Sequence, residues 1–193
     1  MINQMSKRIS SFYIKNNIIG KSEKEIYEYS LELLFSFIVN LFFIMLLSLL
    51  VHRFGETALY VVGFFSLRVV AGGYHARNHF RCLLLTICTY LIFLLIISFL
   101  QISMYLSFTI TNLVLSVILI FTFAPVADTN KPFSEKEFYK YKKSSRLIIS
   151  IYLSISILFS IVFRNTPIAV SLSIGILFAS TSLAIARIIQ RKN

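Results

Sequence analysis

The chain has 193 residues, 57% of them apolar and 14% charged, with a mean hydropathy of +0.79. Soluble domains average about a quarter charged residues, so this composition excludes an ordinary water-soluble globule, and its hydrophobicity excludes disorder. The net charge of +11 would suit a nucleic-acid binder, but most cations lie between apolar runs, as Lys and Arg do in the cytoplasmic loops of membrane proteins; no nucleic-acid partner is expected.

Residues 1–30 interleave Phe12, Tyr13, Ile14, Ile18 and Ile19 with Lys7, Arg8, Lys15, Lys21 and Lys24. They read as a cytoplasmic segment, either an amphipathic helix in the headgroup region or a solvated tail with a few anchors. The first apolar run is too long for an h-region, so no cleavable signal peptide is expected. With residues 31–187, which hold helices and loops, the segment forms a single polytopic domain. About 20 apolar residues cross a bilayer, and six such runs follow. The first is 33–51, interrupted by His52, Arg53 and Glu56. The second is 57–71, with Arg68 snorkelling to the interface. The third and fourth are 83–100 and 105–123, the fifth and sixth 147–163 and 168–186. Segments 68–82 and 124–146 are the large polar loops.

Orientation follows from the cations. With the N-terminus cytoplasmic, six spans place 52–56, 101–104 and 164–167 outside, and these hold only Arg53 and Arg164 of the 19 Lys and Arg. A four-span alternative with a re-entrant hairpin over 57–81 puts the cation-rich stretch from Arg68 to Arg81 outside, against the charge rule. The expected fold is all-α and integral to the cell membrane, with six transmembrane helices and both termini cytoplasmic. Ser150, Ser154 and Ser156 in the fifth span, and Ser171, Ser173, Gly175, Ser180 and Ser182 in the sixth, permit close helix approach in lipid. Packing within the chain is the expected use, and a homodimer interface is the alternative. Glu32 and Asn40, polar residues in or near the first span, read as interhelical glue.

Chemistry concentrates in Arg68-Val69-Val70-Ala71-Gly72-Gly73-Tyr74-His75-Ala76-Arg77-Asn78-His79-Phe80-Arg81-Cys82. A cysteine nucleophile needs a base for its proton or a cation for its thiolate. On an unbroken helix His75 and Cys82 would lie about 10.5 Å apart along the axis, so a dyad requires a bend. Gly72-Gly73 frees the backbone, Asn78 is an N-cap candidate, and a helix starting near His79 puts its dipole under Cys82. His79, three residues from Cys82, is the rival base. Spacing alone also allows the plain reading, in which an apolar filler cysteine sits near solvated histidines. Cys88 lies about 9 Å along the same helical stretch, too far for a disulfide, and reads as mid-span packing. Two cysteines cannot make a four-cysteine zinc site, and the H-E-x-x-H pattern is absent.

Gly72-Gly73-Tyr74-His75-Ala76, the six residues between His75 and Cys82, and Arg68 upstream resemble the accessory gene regulator protein B (AgrB) family. Ala124-Pro125-Val126 followed by Asn130-Lys131-Pro132 is similar to that family's second signature. The resemblance implies a membrane-embedded cysteine endopeptidase of Gram-positive quorum sensing, with His75 and Cys82 catalytic. Its implied partner is the short autoinducer precursor (an AgrD-like peptide), cut on its C-terminal side through a Cys82 thioester and cyclised to a thiolactone or lactone. No metal or cofactor is implied. Three residues are weighed as supports. Arg68 either stabilises an oxyanion or holds a peptide carboxylate, against plain snorkelling. Asp128 orients the imidazole or caps a loop. Lys131 binds the precursor's acidic tail, whereas the run Lys140 to Lys143 obeys the topology rule. His52 falls on the opposite side of the membrane from the dyad. The competing class is a six-span transporter or exporter, but its spans would carry ionisable residues along a pathway, and these are nearly free of them.

Overall fold

The structure is a computed structural model that describes residues 2–73, 79–127, 133–162 and 167–192. Among these residues it holds seven α-helices and no strand: α1 (Ile2–Lys15), α2 (Lys24–Leu50), α3 (Phe54–Ala71), α4 (His79–Phe99), α5 (Tyr105–Phe123), α6 (Glu135–Val162) and α7 (Ile168–Lys192). Six are long and apolar enough to cross a membrane, namely α2 to α7. They fit a multi-pass membrane protein, in which backbone polar groups must be satisfied within each helix.

The apolar runs locate every span, but the helices outrun most of them, three by the most. α2 starts at Lys24 rather than near 33, α6 starts at Glu135 rather than near 147, and α7 runs on to Lys192. Helical hydrogen bonding continues into polar sequence once a span has nucleated it. α6 also carries its own start signal: Ser134 Oγ accepts from the Glu137 amide at 3.3 Å, while Glu137 Oε2 accepts from Ser134 N at 2.9 Å. That reciprocal pair is a capping box. α1 is neither a free tail nor an isolated helix. It folds back on the N-terminal half of α2, where Asn3 Nδ2 donates to Glu32 Oε1 at 2.6 Å and Ser10 Oγ to Glu28 Oε1 at 3.0 Å.

Short turns reverse the chain at one end of the bundle. α2 closes with the Arg53 amide donating to Ser48 O at 3.0 Å, around His52 at φ 54°, a left-handed residue of the kind that ends many helices. α3 then carries the chain back over 18 residues, about 27 Å, so His52 and Cys82 lie at opposite ends.

α7 is the central helix, and among the described residues its interface with α3 is the most extensive. On α7, Ser171, Ser173 and Ser180 are fully buried, and Asn112 on α5 donates to Ser173 Oγ at 3.2 Å. The small residues of the sixth span thus serve packing within the chain. In α6 the outcome differs: Ser156 is buried, but Ser150 and Ser154 are exposed and donate back to Arg146 O and Ser150 O. Two apolar clusters fill the bundle. One, around Tyr60, Tyr90 and Phe93, lies toward the His52 end; the other, around Leu67, Ala71, Ile120, Val126 and Leu183, lies beneath the Cys82 end.

The α3–α7 crossing is close because Gly63 and Gly175 face it. A Cβ on Gly175 would lie 2.2 Å from Tyr60 O, and one on Gly63 would lie 2.8 Å from Leu172 O. These neighbours are backbone, so no rotamer change relieves the clash. Alanine in a helix gains about 1 kcal/mol over glycine, whereas overpacking costs about 1–3 kcal/mol. Gly175→Ala should therefore lower the thermal unfolding midpoint in detergent, while Ser150→Ala on the exposed face of α6 should leave it unchanged.

Candidate active site

Two loops meet where α3 ends. The α3 ladder closes with the Gly72 amide on Arg68 O at 3.1 Å, and Gly72 takes φ +85°. The next contact comes from the α5–α6 connection: the Val126 amide donates to Ala71 O at 3.0 Å. A Cβ on Gly72 would sit 2.1 Å from Val126 O, so both the left-handed backbone and the close approach require glycine. Gln190 near the end of α7 anchors the same connection, its Nε2 donating to Ala127 O at 2.7 Å. The Gly-Gly stretch and the Ala-Pro-Val stretch, more than fifty residues apart in sequence, are thereby stitched into one surface.

Beside that stitch lies a cavity of about 560 Å³. Its walls are largely apolar: Leu33, Leu34 and Phe37 of α2 face Phe65, Val69 and Val70 of α3, and Phe133 and Tyr141 close another side. Arg68, Gly72, Gly73 and Cys82 all line it. Cys82 is the fourth residue of α4. Its side chain is partly buried, and Thr86 Oγ1 donates to its backbone carbonyl at 2.9 Å. Arg68 comes from the last turn of α3, its guanidinium 5.6 Å from the centre of the Phe64 ring. From α2, Asn40 Nδ2 donates to Cys82 Sγ at 3.7 Å. The cavity thus combines a thiol, a guanidinium and an amide inside apolar walls, a setting suited to nucleophilic chemistry on an apolar or amphipathic chain.

Residues 6–183 match the family model described as Accessory gene regulator B. The chain belongs to the AgrB family. AgrB-like protein 2 of Clostridium perfringens strain 13 is 27% identical over 95% of this chain and 91% of its own length. An AgrB-like protein of Clostridium perfringens strain SM101 is 30% identical over 86% of this chain and 80% of its own length. Protein FsrB of Enterococcus faecalis is 28% identical, covering 67% of this chain and 54% of its own length. No solved structure matches. AgrB proteins act in accessory gene regulation and quorum sensing and are linked to the processing of autoinducer peptides.

Of the residues singled out in the sequence, the fold of this AgrB protein brings Arg68 and Cys82 to one cavity. His75, Asp128 and Lys131, with the capping candidate Asn78, lie outside the described residues. Among the described residues α4 runs from His79 to Phe99. Cys88 is corrected: it is exposed on the outer surface of the bundle, because six residues of helix turn it away from the face that carries Cys82. Asn40 acquires a place that its sequence setting did not disclose. It does bridge two helices, but its partner is the cysteine of the cavity. Tyr29, Phe133, Glu137 and Tyr141 also line the cavity without having been singled out for it. Their signal was the aromatic and acidic content of the two segments that flank the spans.

Proposed function

We propose that this protein is a membrane-embedded cysteine endopeptidase that cuts the precursor of a peptide autoinducer and promotes its cyclisation. The observation that carries the reading is the placement of Cys82, at the start of α4, in an apolar cavity with Arg68 and beside the Gly72–Val126 stitch. His75 takes the Cys82 proton, and the sulfur adds to the scissile carbonyl. Collapse of the adduct breaks the C–N bond, and the C-terminal fragment leaves as an amine carrying the proton from the imidazolium. The N-terminal part stays on Cys82 as a thioester. A cysteine or serine side chain of the same peptide then attacks that thioester, expelling the Cys82 sulfur and closing a thiolactone or lactone. The thioester keeps enough activation for ring closure without a further energy source, provided that water is held off and the ring nucleophile is held near. Apolar walls serve the first need. Arg68 and Lys131 are assigned to the precursor's acidic groups, and Asp128 to orienting the imidazole.

The test is to trap the acyl-enzyme. Incubating the purified protein with a precursor whose ring nucleophile is replaced by alanine should leave a mass adduct on Cys82 that hydroxylamine removes. Turnover of the native precursor with no such adduct under any quench would sink the thioester route.

The same reading places both termini and residues 68–82 at the cytoplasmic face, on the strength of the Lys and Arg distribution. With both native cysteines replaced, Asn78→Cys should be labelled by an impermeant thiol reagent in inside-out vesicles and not from outside intact cells. Labelling from outside would overturn the orientation.

A further inference from the structure

Asn40 lies midway along α2 and is only 4% exposed. Burying a primary amide in an apolar setting is costly unless its groups find partners. The partner its Nδ2 has is Cys82 Sγ, at 3.7 Å. A thiol sulfur is a weak acceptor, so much of that donor's strength is unspent in the resting protein. A strong acceptor forming beside the sulfur would draw it in.

The reaction proposed above creates such an acceptor. When the Cys82 sulfur adds to the scissile carbonyl carbon, the π electron pair moves onto the oxygen, which becomes an anion bonded to the same carbon as the sulfur. We infer that Asn40 is the oxyanion donor of this site: its side-chain amide, resting on the Cys82 sulfur, donates to the carbonyl oxygen as that oxygen takes up negative charge. When the C–N bond breaks, the oxygen's electron pair re-forms the carbonyl of the thioester and the amide is released. The inference rests on Cys82 being the nucleophile.

The surroundings favour this donor over its neighbours. α2 is an unbroken helix of 27 residues, so the amide is aimed before the substrate arrives and needs no reorganisation during the reaction, the condition under which such a donor is most effective. Thr86 is engaged with the Cys82 carbonyl. Arg68 reaches the cavity from α3 with a planar cation suited to a carboxylate. An interaction that strengthens only in the transition state raises the rate rather than substrate affinity, and a buried amide on a weak acceptor has that property.

The experiment uses the full chain in proteoliposomes. Precursor cleavage by Asn40→Leu and Asn40→Ala is compared with the parent. In parallel, alkylation of Cys82 by iodoacetamide is measured with Cys88→Ala as background, which leaves Cys82 as the chain's one thiol. The expected result is a kcat lower by about 10²–10³-fold, as for loss of one oxyanion donor. KM should stay within about threefold, because uniform binding is intact, and alkylation, which forms no oxyanion, within about twofold of the parent. Asn40→Ala carries the test where Asn40→Leu fails to fold. Cleavage within about threefold of the parent overturns the assignment. So does alkylation that falls in step with cleavage, since Asn40 would then serve the sulfur or the fold. Neither outcome bears on the nucleophile, whereas normal cleavage by Cys82→Ala overturns the reading beneath.

Discussion

Cys82→Ala is expected to leave no measurable precursor cleavage, a loss of about 10⁴-fold or more, while Cys88→Ala keeps most of it. The two cysteines are six residues apart on one helix and face different surroundings. Cys82 lies at the start of α4 in a cavity with a cation and an amide, and Cys88 is exposed on the bundle's outer surface, where in a membrane it meets lipid. A nucleophile has no substitute once removed, because every later step passes through its thioester. Replacing an outward-facing cysteine removes no packing, so Cys88→Ala should also unfold at the parent's temperature. Purified proteins and a synthetic precursor, followed by mass spectrometry, check both halves. Comparable cleavage by Cys82→Ala and the parent ends the cysteine-peptidase reading. Loss of cleavage in Cys88→Ala with an unchanged unfolding midpoint would reassign the nucleophile.

The spans were legible because hydropathy acts over a whole window. About 20 apolar residues in a row have one stable disposition in lipid, and the fourth run, 105–123, coincides with α5. What apolarity cannot show is how far a helix continues into polar sequence, as α6 does down to Glu135. There the informative signal was local, the Ser134-to-Glu137 capping box, and a basic segment read for its charge hides it. The fold-back of α1 was illegible for a different reason. Its buried face is made of Ser6 and Ser10, two small hydroxyl residues that no hydrophobic pattern marks as a contact.

The candidate site divides the same way. Gly72 stood out as a glycine pair after a span, and its φ of +85° with the Val126 carbonyl at its α-carbon explains why. That the second motif supplies that carbonyl is a tertiary fact, with no trace in the spacing of either motif. Asn40 shows the limit more sharply. A single amide in an apolar run signals that it has found a polar partner across a helix interface. Nothing along the chain says that the partner is a cysteine 42 residues away instead of a backbone carbonyl. The rule that identifies polar glue in a membrane is blind to what is being glued.

His75→Ala should lower cleavage by about 10²–10⁴-fold, the usual worth of a general base, whereas His79→Ala should change it only a few-fold. The helix of Arg68 ends at Ala71, where Gly72 turns the backbone out of the ladder. On α4 the Thr86 hydroxyl donates to the Cys82 carbonyl, and Asn40 of α2 donates to the Cys82 sulfur. The proposed reaction requires His75 at the Cys82 sulfur, ready to take its proton. His79, at the first position of α4, shares the helix with Cys82 three residues on and is the competing base. Only the thiolate is nucleophilic, so losing the true base should slow alkylation of Cys82 near neutrality and leave the rate at alkaline pH unchanged. Measuring that rate against pH in His75→Ala and His79→Ala, each with Cys88 replaced, compares the two bases without the precursor. If His79→Ala gives the larger loss in both alkylation and cleavage, the base lies on α4 itself, and His75 must be reassigned to holding the loop.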